Sequence, residues 1–199
     1  MNGKARKHPE GPTPLAPEEE RDLVRPVANR AELNAFEREN ILEARRWALS
    51  KGTLARVDLL TETFLRELHR RMFGNVWRWA GIPRTTERNM GAPVHRIPTD
   101  VRLLLEDTRY WFAEKTYPPD EAAVRFHYRL VTIHPWPNGN GRHARLMADI
   151  LASAHGAKSL PWSQNTDLVQ PGSVRQRYLD ALHDADNGNF QPLLAFARE

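Results

Sequence analysis

The chemistry of this chain is concentrated in one short segment, HPWPNGNGRHAR at positions 134–145. Gly139 and Gly141 flank Asn140 at the point where a loop enters a helix, and glycine lets the backbone come close to a ligand. The unpaired N–H groups of a first helical turn, together with the positive end of the helix dipole, attract anions. The segment therefore predicts an anion site at the start of a helix.

Three side chains extend this prediction from a simple anion to a reacting polyphosphate. Arg142 and Arg145 are three residues apart, so they share one helix face, and arginine suits forked hydrogen bonding to phosphate oxygens. His134 lies on a loop stiffened by Pro135 and Pro137, where a neutral imidazole could accept a proton from an attacking hydroxyl. Each feature alone fits a turn or a solvated helix face, but their occurrence together favours attack at phosphorus.

The composition is that of one globular domain. The 199 residues are 40% hydrophobic and 27% charged, and they include no cysteine, which excludes disulfides and thiolate metal sites. No apolar run approaches the roughly 20 residues that cross a bilayer, and the basic N-terminus lacks the apolar part of a secretory signal. We expect a cytoplasmic protein with no membrane partner.

Neither nucleic-acid binding nor a histidine metal cluster is expected. The net charge of +4 lies partly in the N-terminal residues, and the other basic residues are dispersed rather than aligned in a stripe. No carboxylate–histidine pair has the helical spacing of a zinc site. We expect His127 to be a hydrogen-bonded core histidine and His143 to be a helix-face residue.

Apolar spacing predicts an all-α bundle with one small β-hairpin. The hairpin, here called the flap, is expected at 82–98, where prolines and an Asn-Met-Gly turn interrupt the helical pattern. A flexible tail at 1–16 precedes a domain at 17–199, which begins with a short helix at Pro17. Within this domain, N-terminal helices are expected in 17–72, at about 31–50, ended by Gly52, and at about 57–72. Two further helices follow at about 99–114 and 119–132. The motif loop and its helix occupy 134–155, and C-terminal helices lie within 172–198.

The central segment resembles the signature of the Fic/Doc family, H-x-F-x-[D/E]-G-N-G-R-x-x-R. The likeness extends to ELHRRMFGNVWRWAG at 67–81, to ERNMG in the flap, to YPPDEAAVRFHYRL at 117–130 and to PLLAF near the C-terminus. These stretches look like the small Fic group called mobile mystery protein B. The resemblance covers nearly the whole chain beyond the tail.

The resemblance implies a Fic-type helical bundle that transfers AMP from ATP, with Mg²⁺, to a Ser, Thr or Tyr hydroxyl of a target protein. His134 would then deprotonate the hydroxyl, and the flap would clamp the target by strand-like pairing. The implied nucleotide-binding residues are Asn138, Gly139, Asn140, Gly141, Arg142 and Arg145, and the implied target-binding residues are Glu87, Arg88, Asn89, Met90 and Gly91.

Two positions depart from the family signature. Trp136 replaces the phenylalanine, which exchanges one anchoring aromatic side chain for another. Asn138 replaces the acid that holds Mg²⁺ in similar proteins, and an amide oxygen is a weaker ligand for this cation than a carboxylate. Metal binding at Asn138 is therefore doubtful, and we expect it to depend more on ATP itself.

Many Fic proteins are restrained by a helix with the motif [S/T]-x-x-x-E-[G/N]. Here Glu39 and Asn40 supply its last pair, but Ala35 stands four residues before the glutamate. Glu39 is therefore either a regulatory residue that pairs with Arg145 or an ordinary exposed acid.

Two alternatives to AMP transfer stay open. One is a Doc-like phosphotransferase that binds the nucleotide in reverse, although the GNG and Arg-x-x-Arg pattern favours AMP transfer. The other is a weakly active nucleotide-binding regulator or toxin component, paired with a DNA-binding partner protein in a toxin–antitoxin-like system, and Asn138 is the feature that supports it.

Overall fold

The computed structural model describes residues 21–25, 27, 30–162, 168 and 172–199, and these residues are mostly helical, as predicted. The expected tail at 1–16 and the first residues of the helix at Pro17 lie outside the described residues. No helix in the described ranges is long and apolar enough to cross a membrane. The helices are α1 (Arg30–Ala48), α2 (Lys51–Arg56), α3 (Glu62–Phe73), α4 (Ile97–Ala113), α5 (Pro119–Ile133), α6 (Asn140–Ala154), α7 (Ser173–Asp186) and α8 (Gln191–Arg198).

The centre of the bundle is α6, which packs against α5 and α3. A helix that is buried on all sides carries small and apolar residues all round, and this pattern is seen along the second half of α6. Around it, α4 packs on α5, α8 packs on α7 and α5, and α1 packs on α3. The residues of α6 that are almost or completely buried include Ala144, Leu146, Met147, Ala148, Ile150, Leu151 and Ala152.

Two predicted helix boundaries were wrong, and helix capping gives the reason. Gly52 does not end a helix but lies inside α2, which starts after Ser50, whose hydroxyl accepts the N–H of Thr53 at 3.2 Å. The next helix begins at Glu62 rather than near Val57, because the Thr61 hydroxyl caps it.

The flap is not the predicted hairpin. The described residues of 82–93 form an irregular loop, and Val94–Arg96 form a 3₁₀ turn that leads into α4. The backbone N–H of Arg84 donates to Pro135 O at 2.9 Å, and that of Ala92 donates to Ile133 O at 3.1 Å. The backbone N–H groups of Arg84 and Ala92, one on each arm of the flap, therefore bond to the chain around His134 instead of pairing the arms as a hairpin.

Candidate active site

The site is built around the loop at 134–139, here called the motif loop, which joins α5 to α6. His134 caps the end of α5 in the left-handed conformation, with φ 55° and ψ 57°. A non-glycine residue adopts this conformation at a cost of about 1–2 kcal/mol. The chain turns at His134, which is half-buried.

The far end of the motif loop requires glycine at position 139. Gly139 has φ 77°, and a Cβ atom built there would lie 2.5 Å from Cζ of Phe73. The backbone can therefore enter α6 against the aromatic ring only without a side chain. The sequence predicted a close approach of the backbone at Gly139, but spacing alone did not reveal that the backbone approaches Phe73.

Asn140 stabilises the motif loop with its side chain. Its Oδ1 accepts the N–H of Trp136 at 2.9 Å, and its Nδ2 donates to Trp136 O at 2.8 Å. Both polar ends of the amide are thus bonded inside the protein. The part of Asn140 that faces an anion is its backbone N–H.

The first turn of α6 presents an anion site. The first intrahelical bond is that from His143 N–H to Gly139 O at 2.9 Å. Within the described part of the chain, no protein acceptor bonds the N–H groups of Asn140, Gly141 and Arg142. Such groups bind phosphate oxygens well.

The oxygen of Asn138 that was considered as a metal ligand is already engaged. Oδ1 of Asn138 accepts the N–H of Gly139 at 2.6 Å. Among the described residues, no group of three or more His, Cys, Asp or Glu side chains is placed to hold a metal ion. The Asn138 side chain therefore offers a metal ion one neutral oxygen, which is already hydrogen-bonded.

Arg142 is held by an acid of the first helix. Its Nη1 forms a short ion pair with Oε2 of Glu37, and its guanidinium lies 4.8 Å from the centre of the Phe73 ring. Glu37 is buried, and its other oxygen accepts Nε1–H of Trp77 at 2.6 Å. A phosphate that approaches Arg142 therefore competes with a buried carboxylate.

This pair corrects the expectation for Glu39. Glu39 is exposed on α1, and among the residues that the structure describes no ion pair joins it to Arg145. The acid of α1 that pairs with an arginine of the signature is Glu37 and not Glu39, and the arginine is Arg142. Glu37 is buried because it lies on the face of α1 that also carries Leu33 and Ala44. The helical spacing of 33, 37, 40 and 44 was the signal in the sequence that could have identified it.

Arg145 lies against a buried tyrosine of α7. Its guanidinium is 5.4 Å from the centre of the Tyr178 ring, and the Tyr178 hydroxyl lies 3.0 Å from Nε2 of His127. Burial lowers the pKa of Arg145 and raises the pKa of Tyr178, and the contact between the two side chains opposes both shifts. Arg177, the neighbour of Tyr178, pairs with Glu199 at 2.6 Å.

His127 is the hydrogen-bonded core residue that was predicted, but the prediction for His143 was wrong. His143 is fully buried, since its side of α6 faces Trp136 and Leu65. Its Nδ1 accepts Nε1–H of Trp136 at 3.2 Å, so the proton lies on Nε2, which donates to Leu65 O at 3.1 Å. Burial lowers the pKa of His143 from 6.5 to about 3.

A second neutral histidine, His69, was not identified from the sequence. Its Nδ1 accepts the N–H of Gly81 at 2.9 Å, which leaves Nε2–H to donate to Asn138 O at 3.2 Å. Its ring stacks on Trp136 with the centres 4.4 Å apart, and burial lowers its pKa well below the ordinary value. His69 thus supports the motif loop beside the anion site.

The arrangement defines a class of site, in which a histidine-bearing loop enters a helix whose N-terminus and arginines are suited to binding phosphate. Residues 59–152 match the model of the Fic/DOC family. A curated relative, protein adenylyltransferase fic-1 from Caenorhabditis elegans, is 32% identical over 134 residues, which are 65% of this chain and 25% of that protein. Residues 59–152 therefore form a segment that is similar to the Fic/DOC family.

Solved structures agree with the fold. The Fic-1 structure from C. elegans has a TM-score of 0.62 at 28% identity, and the match covers 88% of this chain and 50% of that one. The BepC protein from Bartonella tribocorum, with bound AMPPNP, has a TM-score of 0.65 at 18% identity, and the match covers 86% and 87% of the two chains. The chain spans about a quarter of the length of the curated relatives it matches.

Acid should destabilise the fold through the buried histidines. His69, His127 and His143 have folded-state pKa values well below 6.5, so they take up protons when the chain unfolds. Stability present above pH 6.5 is lost as the pH falls, at about 1.4 kcal/mol per pH unit for each such histidine. We expect the free energy of unfolding in urea to fall between pH 7 and pH 5.

Two glutamine variants test this assignment. H143Q should reduce the loss between pH 7 and pH 5 by about 2 kcal/mol, because one buried group no longer titrates. H95Q changes an exposed histidine and should keep the full loss. Equal pH dependence in the two variants would contradict the assignment.

Proposed function

We propose that this chain is a protein adenylyltransferase that transfers AMP from ATP to a Ser, Thr or Tyr hydroxyl of a protein. The observation that carries the proposal is the first turn of α6, where three unbonded N–H groups lie beside Arg142 and Arg145 and follow the loop that bears His134. The name of the C. elegans relative and the AMPPNP in BepC support this use of a nucleotide. The absence of cysteine supports the cytoplasm as the place of action.

In the proposed reaction, the phosphates of ATP lie on the N–H groups of α6 and on the two arginines. The target hydroxyl oxygen attacks the α-phosphorus while His134 takes its proton. The new O–P bond forms as the bond between the α-phosphorus and the bridging oxygen breaks, and pyrophosphate leaves with that electron pair. The N–H groups and the guanidinium groups stabilise the charge that develops on the phosphoryl oxygens.

The flap is proposed to hold the target segment. Glu87 Oε1 accepts the N–H of Val94 at 3.0 Å, which closes the base of the loop that carries Arg88, Asn89, Met90 and Gly91. Asn89 is exposed at the tip, and an extended peptide could add there by backbone pairing.

The protein residues do not fit a magnesium site of their own. Asn138 offers a neutral oxygen that Gly139 N–H already occupies, and Mg²⁺ prefers carboxylate and phosphate oxygens. Accordingly, no step of the proposed reaction passes through a protein-held metal. Any Mg²⁺ would be bound mainly by the phosphates of ATP.

A carboxylate at position 138 should restore metal binding. In Asn138→Asp, the added negative charge should lower the Mg²⁺ concentration for half-maximal label transfer by about tenfold, which corresponds to about 1.4 kcal/mol. The measurement is transfer from α-labelled ATP as a function of Mg²⁺ concentration. An unchanged Mg²⁺ requirement would show that position 138 does not face the metal.

We also propose that α1 restrains the site. The Glu37 carboxylate occupies Arg142 from a buried position, so a nucleotide must displace it to gain that guanidinium. Trp77 Nε1–H holds the carboxylate in place at 2.6 Å.

Glu37→Gln should tighten ATP binding and increase self-modification. The amide can still accept the Trp77 N–H but lacks the charge that competes with phosphate, so we expect the Kd for ATP to fall about tenfold. Glu39→Gln is the matched control, because it removes an exposed charge two residues away on the same helix. Calorimetry and label transfer measure the effect; an equal change in both variants, or none in Glu37→Gln, would disprove the restraint.

Label position separates AMP transfer from the alternatives. Transfer to protein from α-labelled ATP, and not from γ-labelled ATP, is expected, and His134→Ala should abolish it while ATP binding and the fold are retained. Label from the γ-phosphate would instead show Doc-like phosphorylation. Binding without transfer of either label would favour the nucleotide-binding regulator that works with a DNA-binding partner.

A further inference from the structure

Arg84 connects the flap to the motif loop through one guanidinium. Its Nε donates to His134 O at 2.7 Å, its Nη1 donates to Thr86 O at 3.0 Å, and its Nη2 makes a short bond to Ala92 O. Two of these carbonyl groups belong to the two arms of the flap, and the third belongs to the histidine. The backbone N–H of Arg84 adds the bond to Pro135 O.

The surroundings of Arg84 indicate a role beyond packing. The side chain is 1% exposed, and the carboxylate recorded beside it, Glu87, lies 3.9 Å away and is itself 66% exposed. Burying a cation is costly unless hydrogen bonds satisfy it, and here the partners are mainly backbone carbonyl groups. An apolar side chain would fill the space at lower cost but would leave those carbonyl groups without donors.

The histidine that Arg84 holds has an unusual backbone. The left-handed conformation of His134 persists only where the surrounding structure enforces it. Gly91 lies close to both residues: a Cβ atom at Gly91 would lie 2.7 Å from Cβ of His134 and 2.9 Å from Nη2 of Arg84. His134 is therefore packed against the flap backbone at Gly91 and hydrogen-bonded to the guanidinium of Arg84.

We propose that Arg84 is a positioning residue that holds the flap and His134 as one rigid unit. This role rests on the proposed function, in which the flap holds the target and His134 takes the proton from the target hydroxyl. Because the flap that holds the target and the loop that bears His134 are both bonded to the Arg84 guanidinium, the hydroxyl of a bound target lies at a set distance from the imidazole. Displacement by about 1 Å can cost about a hundredfold in rate.

Three variants test the role of Arg84. Arg84→Met keeps the length of the side chain but loses its donors, Arg84→Lys keeps the charge and some donors, and Arg102→Met changes an exposed arginine that pairs with Glu106 on α4, outside the flap. The rate of transfer from α-labelled ATP at saturating concentration should fall about a hundredfold in Arg84→Met and be partly rescued in Arg84→Lys. The Kd for ATP should stay within twofold of wild type, and Arg102→Met should match wild type throughout.

Amide hydrogen exchange gives a readout that does not depend on activity. The N–H groups of Arg84 and Ala92, which bond to the chain around His134, should exchange faster in Arg84→Met, while the α6 amides beyond Arg145 keep their protection. If the wild type transfers no label, the proposed function fails, but exchange still decides whether Arg84 couples the two segments. A wild-type transfer rate or unchanged exchange in Arg84→Met would overturn the proposal.

A folding failure of Arg84→Met would not leave the question open. Gly91→Ala keeps the Arg84 residue but crowds both its Nη2 and the Cβ of His134, so it should lower the transfer rate with the Kd for ATP unchanged. If Gly91→Ala transfers label at the wild-type rate and Arg84→Lys is fully active, these two results together would reject a positioning role for Arg84.

Discussion

The whole site depends on keeping two histidines neutral inside the core. His69 and His143 contact the Trp136 ring from two sides, and each uses one nitrogen as an acceptor and the other as a donor. An imidazolium could not accept the N–H of Gly81 or of Trp136, so protonation would remove a bond on each side of the motif loop. Burial enforces the neutral state, and this links the packing of the aromatic core to the shape of the turn at the start of α6.

The motif loop is consequently held by partners outside the signature segment. Asn140 closes the loop on itself, His69 holds its carbonyl at Asn138, and Arg84 holds its carbonyl at His134. In the described part of the chain, the backbone N–H groups at the start of α6 are left for a ligand because they belong to the first helical turn, where no preceding turn supplies acceptors. Such preorganisation lowers the cost of arranging donors around a transferring phosphoryl group.

The buried Glu37–Arg142 pair illustrates how a stabilising contact can restrain a site. The carboxylate costs free energy to bury, and this cost is offset by the Trp77 N–H and the guanidinium together. A bound phosphate would replace the carboxylate as the partner of Arg142, and Glu37 would then keep only the Trp77 N–H as a donor. The balance between the two states is therefore set by α1, a helix that lies far from the signature in the sequence.

Sequence patterns predicted the helices well because long apolar periodicities survive tertiary context, as for Pro119–Ile133 and Gln191–Arg198. They failed where short-range capping competed with spacing, as at Gly52, and where backbone groups found partners far along the chain, as in the flap. Of the site, the family signature identified the loop, the glycine turn and the two arginines. It did not identify Glu37, His69, Arg84 or the burial of His143, since each acts through contacts across 50 or more residues.

The sequence by itself determined the chemistry that is local in the chain: a histidine before a helix start, glycines where a backbone must pass an obstacle, and arginines one turn apart. These features follow from spacing and from the conformational freedom of single residues. Only the tertiary structure decided which acid faces Arg142, which protonation state the core histidines adopt and what holds His134 in its left-handed turn. Those outcomes depend on burial and on partners from other helices, because desolvation and hydrogen bonding between distant segments exist only after the chain has folded.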